Sequence, residues 1–577
     1  MFVTACSLLL VWLSTSVAFS VQKRSPDVGL YAVSTGRQEM QNPHGAEEDL
    51  TDNIRPLHQN WWPVAALTSL KPSQPNALQV LGKPLVAAKF NDSSWSVLDD
   101  RCSHRFAPLS EGRMVSTGHL QCAYHGWEFD TATGVCSKLP QITDENKVAA
   151  VQTYSTREEA GMLWVWMDPS SLDLADQIHL PISPLLRHYV ARFGNEACFM
   201  RDLPYGIELL GENLLDLSHL PFSHHSVGGL KREQGGPLPT RMLSKRERED
   251  AALWEKEEDP TYNPVLPRYQ AEVIDAAQHD PLMMRFAKSG VEMSTRIGYY
   301  DPCHVRYRRK IGERATHVEL FMCPVSEGRS RVFLFNVFKS APVPKVADFR
   351  GWLKQIAPGA LKAKLFQSLF LRRTDPRKPY IHLVAHDIFD GDGIFLHKQG
   401  NLMREAGLTF RDYSTPSSAD TLLLAYRRFI ESAARKTRET SSGTLADAVD
   451  GQKQYGDDLP RSVMLDRYNT HTKHCPTCLA SLQKLRRSQS RTAFLKTALQ
   501  GALGASIFSF IGLLTLESLP FAIRVTTRTL INALIVRVGI MIGMSTLGIL
   551  ILARKERKLH RQIDLFLFKD YVHSDKL

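Results

Sequence analysis

The chain has 577 residues, of which 43% are hydrophobic and 23% charged, so it is long enough for two or three globular domains and is not dominated by disorder. Its net charge of +11 suggests nucleic acid as a partner. However, much of the basic excess lies at 484–491 and 554–561, beside apolar runs, which is typical of membrane flanks and argues against nucleic-acid binding. The nine cysteines are an odd number, and four lie in short metal-binding or redox motifs, which excludes a disulfide framework and favours a reducing compartment.

The N-terminus predicts a targeting segment. Residues 1–18 contain a short apolar stretch followed by small residues, which predicts a signal peptide, although no basic residues precede it. A buried strand or a short membrane anchor would have a similar composition. The polar segment 19–55 is predicted to be a transit sequence and linker. The ending Val17-Ala18-Phe19 resembles the bipartite plastid leader of algae with complex plastids, which implies import into such a plastid.

Two domains and an extension are predicted next. Residues 56–168 alternate short apolar runs with glycine, proline, asparagine and aspartate, which predicts a β-rich domain. Residues 169–415 mix helical stretches, such as 207–217, with extended ones, which predicts an α+β domain. An extension at 416–490 contains a polar linker at 437–460.

Two apolar segments near the C-terminus predict a transmembrane helical hairpin. Residues 497–516 and 530–553 are each about long enough to cross the ~30 Å hydrocarbon core as a helix. Arg537 is the only charged residue within them, and its side chain can extend toward the membrane surface. Both outer flanks are basic, including the tail 554–577, so both ends are expected on one face of the membrane. A helical hairpin buried in a soluble core is the alternative.

Two cysteine–histidine pairs lie in the β-rich domain, Cys102-x-His104 and Cys122-x-x-His125, with 17 residues between them. Two thiolates and two imidazoles suit tetrahedral zinc, but zinc fingers place both cysteines in one pair and both histidines in the other. Here each pair supplies one of each, so each loop can offer one ligand to each iron of a Rieske [2Fe–2S] cluster. The mixed pairs therefore favour the Rieske cluster, with zinc as the alternative.

A second group of candidate ligands lies in the α+β domain. Asp216 and His219 are three residues apart and are predicted to share a helical face. Pro221 is expected to break the helix, so that His224 can turn back toward His219. Two imidazoles and one carboxylate with open positions form the facial triad of iron(II) oxygenases. Without other evidence, the two histidines would be interpreted as surface residues.

The sequence around both groups resembles a known family. The stretches 102–113 and 120–127 closely resemble the Rieske domains of plastid oxygenases. The order of a Rieske motif followed by Asn213, Asp216, His219 and His224 resembles the alpha subunits of Rieske oxygenases, over roughly residues 56–400. The resemblance implies a β-rich Rieske domain followed by an α/β helix-grip (START-like) catalytic domain.

The same resemblance implies a third, acidic iron ligand further along the chain. The segment 388–399 resembles the late part of the family, and Asp392 aligns best with the expected ligand. Asp390 and Asp387 are the alternatives. His382 and His386 are four residues apart and could face together, and they are interpreted as residues that support the iron site or the fold.

The resemblance also implies how electrons travel. Ferredoxin reduces the cluster, which passes electrons one at a time to the iron, where O2 is used beside the substrate. In this family the two metal sites of one chain are too far apart, so electrons cross between the subunits of a ring-shaped homotrimer through an aspartate. Asp216 matches that aspartate, and Asn213 is counted with it as a catalytic residue. An ordinary surface charge is the alternative role for Asp216.

A third motif, Cys475-x-x-Cys478, precedes the apolar segments. It is interpreted as a redox pair, as a zinc or iron site that includes His471 and His474, or as two ordinary thiols. A CxxC ahead of two membrane helices resembles one plastid group, which comprises pheophorbide a oxygenase, protochlorophyllide-type oxygenase and the Rieske protein of the inner-envelope translocon. That resemblance implies a thioredoxin-sensitive pair.

The resemblance as a whole implies a Rieske non-haem iron monooxygenase in a plastid membrane, either the inner envelope or the thylakoid. Its expected substrate is a chlorophyll-type tetrapyrrole, with an activity most like that of pheophorbide a oxygenase in chlorophyll breakdown. Two alternatives stay open. One is oxidation of a methyl group on chlorophyllide a or protochlorophyllide a, and the other is a redox-sensing Rieske protein associated with plastid protein import.

Overall fold

The computed structural model describes most of the chain between Asn53 and Val572, all within one compact unit, Glu47–Leu577. The described ranges are 53–89, 94–141, 150–227, 229–258, 264–284, 291–312, 314–338, 375–441, 458–516 and 521–572. The predicted leader at 1–18 and nearly all of the segment 19–55 lie outside the described residues. So does most of the predicted linker at 437–460, although its first residues, through Thr440, are helical.

The first domain is built from three small antiparallel sheets, as its turn-rich sequence predicts. Its strands are β1 (Trp61–Ala66), β2 (Asn76–Val80), β3 (Lys83–Ala88), β4 (Ser96–Asp99), β5 (Arg113–Met114), β6 (Leu120–Gln121), β7 (Glu128–Phe129), β8 (Cys136–Lys138), β9 (Thr153–Tyr154), β10 (Thr156–Glu159) and β11 (Met162–Trp166). The sheets have the strand orders β1-β11-β10, β2-β3-β4-β9 and β5-β6-β7-β8. One cysteine–histidine loop precedes β5 and the other joins β6 to β7, so both loops lie at the third sheet.

The first domain shares its hydrophobic core with the second. Every residue of β1 and β11 is buried, as expected of strands that are covered on both faces. Trp164 contacts Phe321 edge to face, with ring centroids 5.6 Å apart. In addition, the N–H of Leu81 donates to the carbonyl oxygen of Pro324 at 2.7 Å. These contacts hold the two domains together.

The second domain contains a seven-stranded antiparallel sheet. Its strands are β12 (Phe199–Leu203), β13 (Thr240–Met242), β14 (Tyr269–Val273), β15 (Met293–Tyr300), β16 (His304–Ile311), β17 (Arg314–Ser326) and β18 (Arg329–Phe338). They lie in the order β12-β18-β17-β16-β15-β14-β13. The two-residue turn Glu327-Gly328 joins β17 to β18, and Gly328 has a φ of +61°, which glycine adopts readily in hairpin turns of this length.

Helices cover this sheet and connect its strands. They are α1 (Leu172–Gln177), α2 (Pro184–Phe193), α3 (Ile207–Leu215), α4 (Leu220–Ser223), α5 (Lys245–Glu258), α6 (Ala276–His279), α7 (Pro379–Ala406), α8 (Thr421–Thr440), α9 (Arg461–Met464) and α10 (Arg467–Thr470). Helix α3 is almost wholly buried. The hydroxyl of Tyr426 on α8 donates to the carbonyl oxygen of Ile207 at 2.8 Å, and a Cβ on Gly211 would lie 2.1 Å from the Tyr426 ring, so only glycine fits there.

Two long helices, α11 (Pro476–Leu516) and α12 (Phe521–Leu567), end the described chain and pack against each other. Both are long and apolar enough to cross a membrane, and only 6% of each apolar window is buried. Exposed apolar side chains such as Phe508 (81%) and Met544 (69%) contradict the alternative of a hairpin buried in a soluble core. The helices suggest association with a membrane.

Each helix is longer than its predicted apolar segment. The 41 residues of α11 span about 60 Å, twice the hydrocarbon core of a bilayer. Composition delimits only the apolar halves, 497–516 and 530–553, whereas the other halves continue as helix and pack against the catalytic domain. Leu482 of α11 and Phe566 of α12 lie in one buried cluster at that end.

Candidate Rieske cluster and iron sites

Two turns of matching geometry present the predicted cluster residues. In each turn the cysteine N–H donates to the carbonyl oxygen five residues later, and the N–H four residues later donates back to the cysteine carbonyl. These bonds are Cys102 to Ala107 and Phe106 to Cys102, both at 2.9 Å, and Cys122 to Trp127 at 2.8 Å and Gly126 to Cys122 at 3.0 Å. The φ angle is +61° at Phe106 and +76° at Gly126. A phenylalanine rarely adopts this conformation, and such strain is concentrated at ligand sites.

The four side chains at these turns separate into a sulfur pair and an imidazole pair. Cys102 and Cys122 are 1% and 2% exposed and interact within an apolar cluster, where burial raises the pKa of Cys102 to about 11. His104 and His125 lie nearer the surface, with ring centroids 4.5 Å apart, and the buried Nδ1 of His104 has no hydrogen-bond partner. One zinc ion would take all four ligands together, whereas a [2Fe–2S] cluster takes them as two pairs. The residues therefore fit the cluster.

Replacing Cys122 with serine is expected to remove the cluster, because a hydroxyl is a poor substitute for a thiolate ligand of iron. Iron content should fall by about two atoms per chain, and the electron paramagnetic resonance signal of the reduced cluster should disappear. Cys136 is a matched control, since it is buried in the same apolar cluster but its thiol interacts with the carbonyl oxygen of Lys138. Loss of the signal in Cys136→Ser as well, or its survival in Cys122→Ser, would contradict the assignment.

The candidate iron residues begin where helix α3 ends. The prediction that Asp216 and His219 share a helical face is wrong, because α3 ends at Leu215 and Asp216 has an extended backbone. The Asp216 carboxylate instead accepts the backbone N–H of Ser218 at 2.6 Å. This local turn still brings Asp216 Oδ2 to 3.2 Å from His219 Nδ1.

The two histidines lie on either side of the four-residue helix α4. His219 precedes it, His224 follows it, and their ring centroids are 5.3 Å apart. His224 does turn back toward His219, but not because a proline breaks a long helix. Pro221 lies in the first turn of a new helix, where proline is well tolerated.

Asp392 joins the two histidines from helix α7. Its Oδ2 lies 3.2 Å from Nε2 of His224 and 3.8 Å from Nε2 of His219, and the ligand atoms of all three lie within 4.8 Å of one another. The hydroxyl of Ser223 donates to Asp392 Oδ1 at 2.7 Å and so orients the carboxylate. Nε2 of His224 thus faces the Asp392 carboxylate, while its buried Nδ1 has no hydrogen-bond partner within the described residues. Two imidazoles and one carboxylate that converge in this way fit a mononuclear iron ion.

The two alternative acids on α7 bind arginine instead. Asp390 lies 2.5 Å from Arg201 and 2.6 Å from Arg467, and Asp387 lies 2.6 Å from Arg467. Asp390 and Asp392 are two residues apart in a helix, hence about 200° apart around its axis. The two side chains therefore leave α7 on opposite sides, and only Asp392 faces the histidines.

The carboxylates beside His219 raise the pKa of its imidazole. Burial by itself lowers the pKa of His219, but the Asp392 and Asp216 carboxylates outweigh burial and raise it. Burial likewise opposes ionisation of Asp216, but its bonds to His219 and Ser218 hold its pKa below the usual value. Asn213 contributes a further contact, with Nδ2 3.4 Å from His219 Nε2.

A cavity of about 580 Å³ lies beside this group. Its wall includes four of the predicted site residues, Asn213, Asp216, His219 and Asp392. Phe222 and Phe395 also line it and are 49% and 52% exposed, so they form its mouth. The remaining lining residues are Glu212, Ser223, Arg232, Leu396, Gln399 and Leu423. The volume lies within the range of about 300–1,000 Å³ that is usual for small-molecule sites.

Several residues around the site were missed or misplaced by the sequence patterns. Ser223 and Tyr571 gave no signal, yet the first orients Asp392 and the second donates its hydroxyl to the Ser223 carbonyl at 3.1 Å. Of the two roles predicted for His382 and His386, the structure favours a role in the fold, because both rings are buried beside His471, at centroid distances of 5.1 Å and 4.7 Å.

Known proteins resemble the chain over most of its length. Residues 60–155 match the Rieske [2Fe-2S] domain family. The chain is 26% identical to pheophorbide a oxygenase of Arabidopsis thaliana, over 94% of this chain and 88% of that protein. It is 28% identical to flavonoid 8-hydroxylase 2 of Ocimum basilicum, over 74% of each. It is 26% identical to protein TIC 55 of Pisum sativum, over 65% of this chain and 57% of that protein. A solved structure of dicamba monooxygenase bound to dicamba is 20% identical with a TM-score of 0.43, over 67% of this chain and 99% of that chain.

The chain is a Rieske-type oxygenase, because a Rieske [2Fe–2S] domain precedes an α+β domain whose His, His, Asp group is consistent with mononuclear iron. More particularly, it is a distant homologue of the plant plastid Rieske oxygenases over most of its length. An oxygenase of this class needs an electron donor and O2.

Proposed function

We propose that the chain is a membrane-bound monooxygenase that oxygenates a chlorophyll-type tetrapyrrole with O2 and electrons from ferredoxin. The activity is most like that of pheophorbide a oxygenase in chlorophyll breakdown. The observation that supports this most is the cavity of about 580 Å³, which has His219 and Asp392 in its wall and two phenylalanines at its mouth. A protein that only sensed redox state would not need a substrate-sized cavity at its second metal site.

The ligand assignments follow from the donor sets. We assign the cluster to Cys102, His104, Cys122 and His125, and the iron to His219, His224 and Asp392. When bound, the iron supplies O2 chemistry at the coordination positions that the protein leaves open. The surrounding residues keep the ligands in place, and the clearest example is the hydroxyl that holds Asp392 Oδ1, which leaves Oδ2 facing both imidazoles.

We propose that Asp216 carries electrons between subunits of a homotrimer. Its Oδ2 bonds to His219 Nδ1 at 3.2 Å, while 20% of the side chain is exposed, so a neighbouring chain can reach it. At the cluster loops, Phe106 and Tyr124 are 69% and 66% exposed, which is unusual for aromatic side chains and is consistent with a docking surface. His104 or His125 of another subunit would then meet the carboxylate of Asp216.

An Asp216→Asn change is expected to slow turnover by about tenfold to 100-fold with the iron still bound, since the amide accepts a hydrogen bond from His219 less strongly. The measurement is the rate at which a chemically reduced cluster is reoxidised in the presence of substrate and O2. Asp387→Asn is the matched control, because it removes a carboxylate that pairs with Arg467 and Lys569 and makes no bond to His219. Unchanged reoxidation in Asp216→Asn would remove Asp216 from the electron route.

The cavity lining supports a large, mostly apolar substrate with an acidic group. Phe222, Phe395 and Leu423 offer flat or apolar surface, and Arg232 brings a guanidinium that suits a carboxylate. Pheophorbide a has both features, and it is the substrate in the name of one of the most similar relatives. The equally similar flavonoid 8-hydroxylase makes a flavonoid the competing substrate class.

We place the chain in a plastid membrane, either the inner envelope or the thylakoid, with α11 and α12 spanning it. The chloroplast relatives and the two exposed apolar helices support this location. The complex-plastid leader, the thioredoxin-sensitive pair and the helix-grip class of the catalytic domain remain predictions. The antiparallel sheet with the long helix α7 beside it is compatible with that class.

Turnover of defined substrates tests the proposal. Full-length protein in detergent, loaded with iron, is given reduced ferredoxin and ¹⁸O2, and is offered pheophorbide a, chlorophyllide a, protochlorophyllide a and a flavone separately. Mass spectrometry should find one ¹⁸O atom incorporated into the pheophorbide a product. Turnover of chlorophyllide a or protochlorophyllide a alone would move the activity to methyl oxidation, and turnover of the flavone alone would overturn the tetrapyrrole class.

The relative TIC 55 favours a second candidate, a redox-sensing protein associated with plastid import. The test is turnover by protein in which spectroscopy shows both the cluster and the iron to be intact. If such protein turned over none of the four substrates, the redox-sensing role would be favoured over tetrapyrrole oxygenation.

A further inference from the structure

Four potential metal ligands meet where α11 begins. None of them belongs to the candidate cluster residues or to the candidate iron residues. His382 comes from the first turn of α7, His471 from the loop after α10, and Cys475 and Cys478 from the start of α11. Their ligand atoms all lie within 4.8 Å of one another. His382, His471 and Cys478 are 2%, 1% and 0% exposed, and both cysteines are free thiols.

Backbone carbonyls orient both imidazoles toward this group. His382 Nε2 lies 3.0 Å from the carbonyl oxygen of Pro376, and His471 Nδ1 lies 2.6 Å from that of Met200. A carbonyl oxygen only accepts hydrogen bonds, so each of these nitrogens carries the ring proton. The other nitrogens, Nδ1 of His382 and Nε2 of His471, therefore present lone pairs to each other across 3.2 Å. Histidine ligands of metals are held in this way by carbonyl groups behind them.

The separations match a tetrahedron around one ion. Bonds of about 2.0–2.1 Å to nitrogen and about 2.3 Å to sulfur place two nitrogens about 3.3 Å apart and a sulfur about 3.6 Å from a nitrogen. The observed values are 3.2 Å between the nitrogens, 3.4 Å from Cys475 Sγ to His382 Nδ1, and 3.3 Å from Cys478 Sγ to each imidazole. The surroundings are largely apolar, with Leu482 and Phe566 in the same buried cluster and the ring of Phe199 stacked 4.5 Å from His471, and Cys475 alone of the four ligands is partly exposed.

We propose that His382, His471, Cys475 and Cys478 form a closed, structural zinc site that joins the membrane helices to the catalytic domain. Four protein ligands leave no open position, which distinguishes a structural zinc site from a catalytic one. Binding of zinc releases a thiol proton from each cysteine to solvent and involves no oxidation or reduction. The site goes beyond the proposed oxygenase activity and does not depend on it.

The position of the site gives it a mechanical role. Its four ligands connect α7, which carries Asp392 ten residues after His382, with the N-terminus of the first membrane helix. Met200, whose carbonyl oxygen holds His471, belongs to the edge strand β12 of the catalytic sheet. Zinc would thus fix the base of α11 against the elements that shape the iron site.

The sequence alone suggested a metal site with His471 and His474, or a redox pair of Cys475 and Cys478, and the proposed zinc site differs from both. His474 lies outside the group, and His382, 89 residues before His471, takes its place. The thioredoxin-sensitive disulfide and the zinc site also exclude each other at any moment, because a disulfide sulfur is no longer a thiolate ligand.

The metal content of the full-length protein tests the proposal. The protein is produced with both iron and zinc in the medium and purified in detergent under anaerobic, reducing conditions. Mass spectrometry of the elements should find about one zinc per chain beside about three irons. With cobalt in place of zinc, the absorbance spectrum should show thiolate-to-cobalt charge transfer and the bands of a tetrahedral ion.

Two pairs of variants make the test specific. Cys475→Ser should lose the zinc, whereas Cys198→Ser should keep it, since Cys198 is a buried neighbouring thiol outside the group. His382→Gln should lose the zinc, whereas His474→Gln should keep it. The resonance signal of the Rieske cluster reports whether each variant has folded, and no readout depends on turnover.

Three results would overturn the zinc site. They are iron-loaded protein that lacks zinc, a zinc content unchanged by Cys475→Ser in folded protein, or a fourth iron in place of the zinc. Finding Cys475 and Cys478 joined in a disulfide after the reducing purification would also overturn it, in favour of a redox pair.

Discussion

Replacing Asp392 with alanine is expected to remove the catalytic iron and to lower turnover by about 100-fold or more, while the Rieske cluster stays intact. Even residues that only orient a metal ligand change activity by about 10–100-fold, and Asp392 would be a ligand itself. Its Oδ2 is the carboxylate oxygen that faces the Nε2 atoms of both His219 and His224. Iron content should fall by about one atom per chain, and the resonance signal of the reduced cluster should persist.

Asp387→Asn is the matched control for this prediction, because it removes a carboxylate from the same helix. Asp387 pairs with Arg467 and Lys569 and is 27% exposed, and it does not reach the histidines. Asp387→Asn should therefore keep its iron and most of its turnover. If Asp392→Ala kept the iron, or if Asp387→Asn lost it, the third ligand would have to be assigned elsewhere.

An Asp390→Asn change is expected to destabilise the fold by about 3–5 kcal/mol without removing either metal site, because the buried Arg201 loses its carboxylate partner, whereas Arg467 keeps Asp387. Asp390 lies between Arg201 and Arg467, which are 2% and 0% exposed, at 2.5 Å and 2.6 Å. Arg467 also donates to the carbonyl oxygen of Leu565 in α12 at 3.1 Å. Through these two arginines, the carboxylate connects helix α7 with the edge strand β12 and with helix α12.

The apparent melting temperature of detergent-solubilised protein measures this effect, and it should fall by several degrees. Asp458→Asn is the control, since Asp458 pairs with Lys398 at the surface, where both side chains are more than half exposed. A surface pair of this kind contributes about 0–1 kcal/mol. Equal melting temperatures in Asp390→Asn and the unchanged protein would mean that the two arginines do not need this partner.

The cluster loops were predictable because their chemistry is local. Each loop places a cysteine and a histidine two or three residues apart, and the same pair of backbone hydrogen bonds closes each turn. The positive φ at Gly126 is one that glycine adopts readily, whereas nothing in a phenylalanine indicates the positive φ at Phe106.

The sequence also predicted that His219 and His224 lie close together, but it did not predict the backbone conformation that brings them together. Helical spacing predicted one helix with a break at Pro221, whereas α3 ends six residues earlier and α4 begins anew. Helix ends depend on which backbone groups find other partners, here the Asp216 carboxylate that accepts the N–H of Ser218. The spacing of apolar residues in the sequence does not show which of these hydrogen bonds will form.

The sequence by itself determined the order of a Rieske domain before an α+β domain, the two long apolar segments, and the short motifs at 102–125 and 213–224 that carry the candidate ligands, because contacts within a few residues follow from backbone geometry. Only the tertiary structure decided between Asp387, Asp390 and Asp392, since all three lie on one helix and its rotation against the sheet selects the one that faces the histidines. It alone also brought His382 to Cys475 and Cys478, more than 90 residues later. Such pairs form because whole helices pack together, and no local pattern records which face of a helix will be buried.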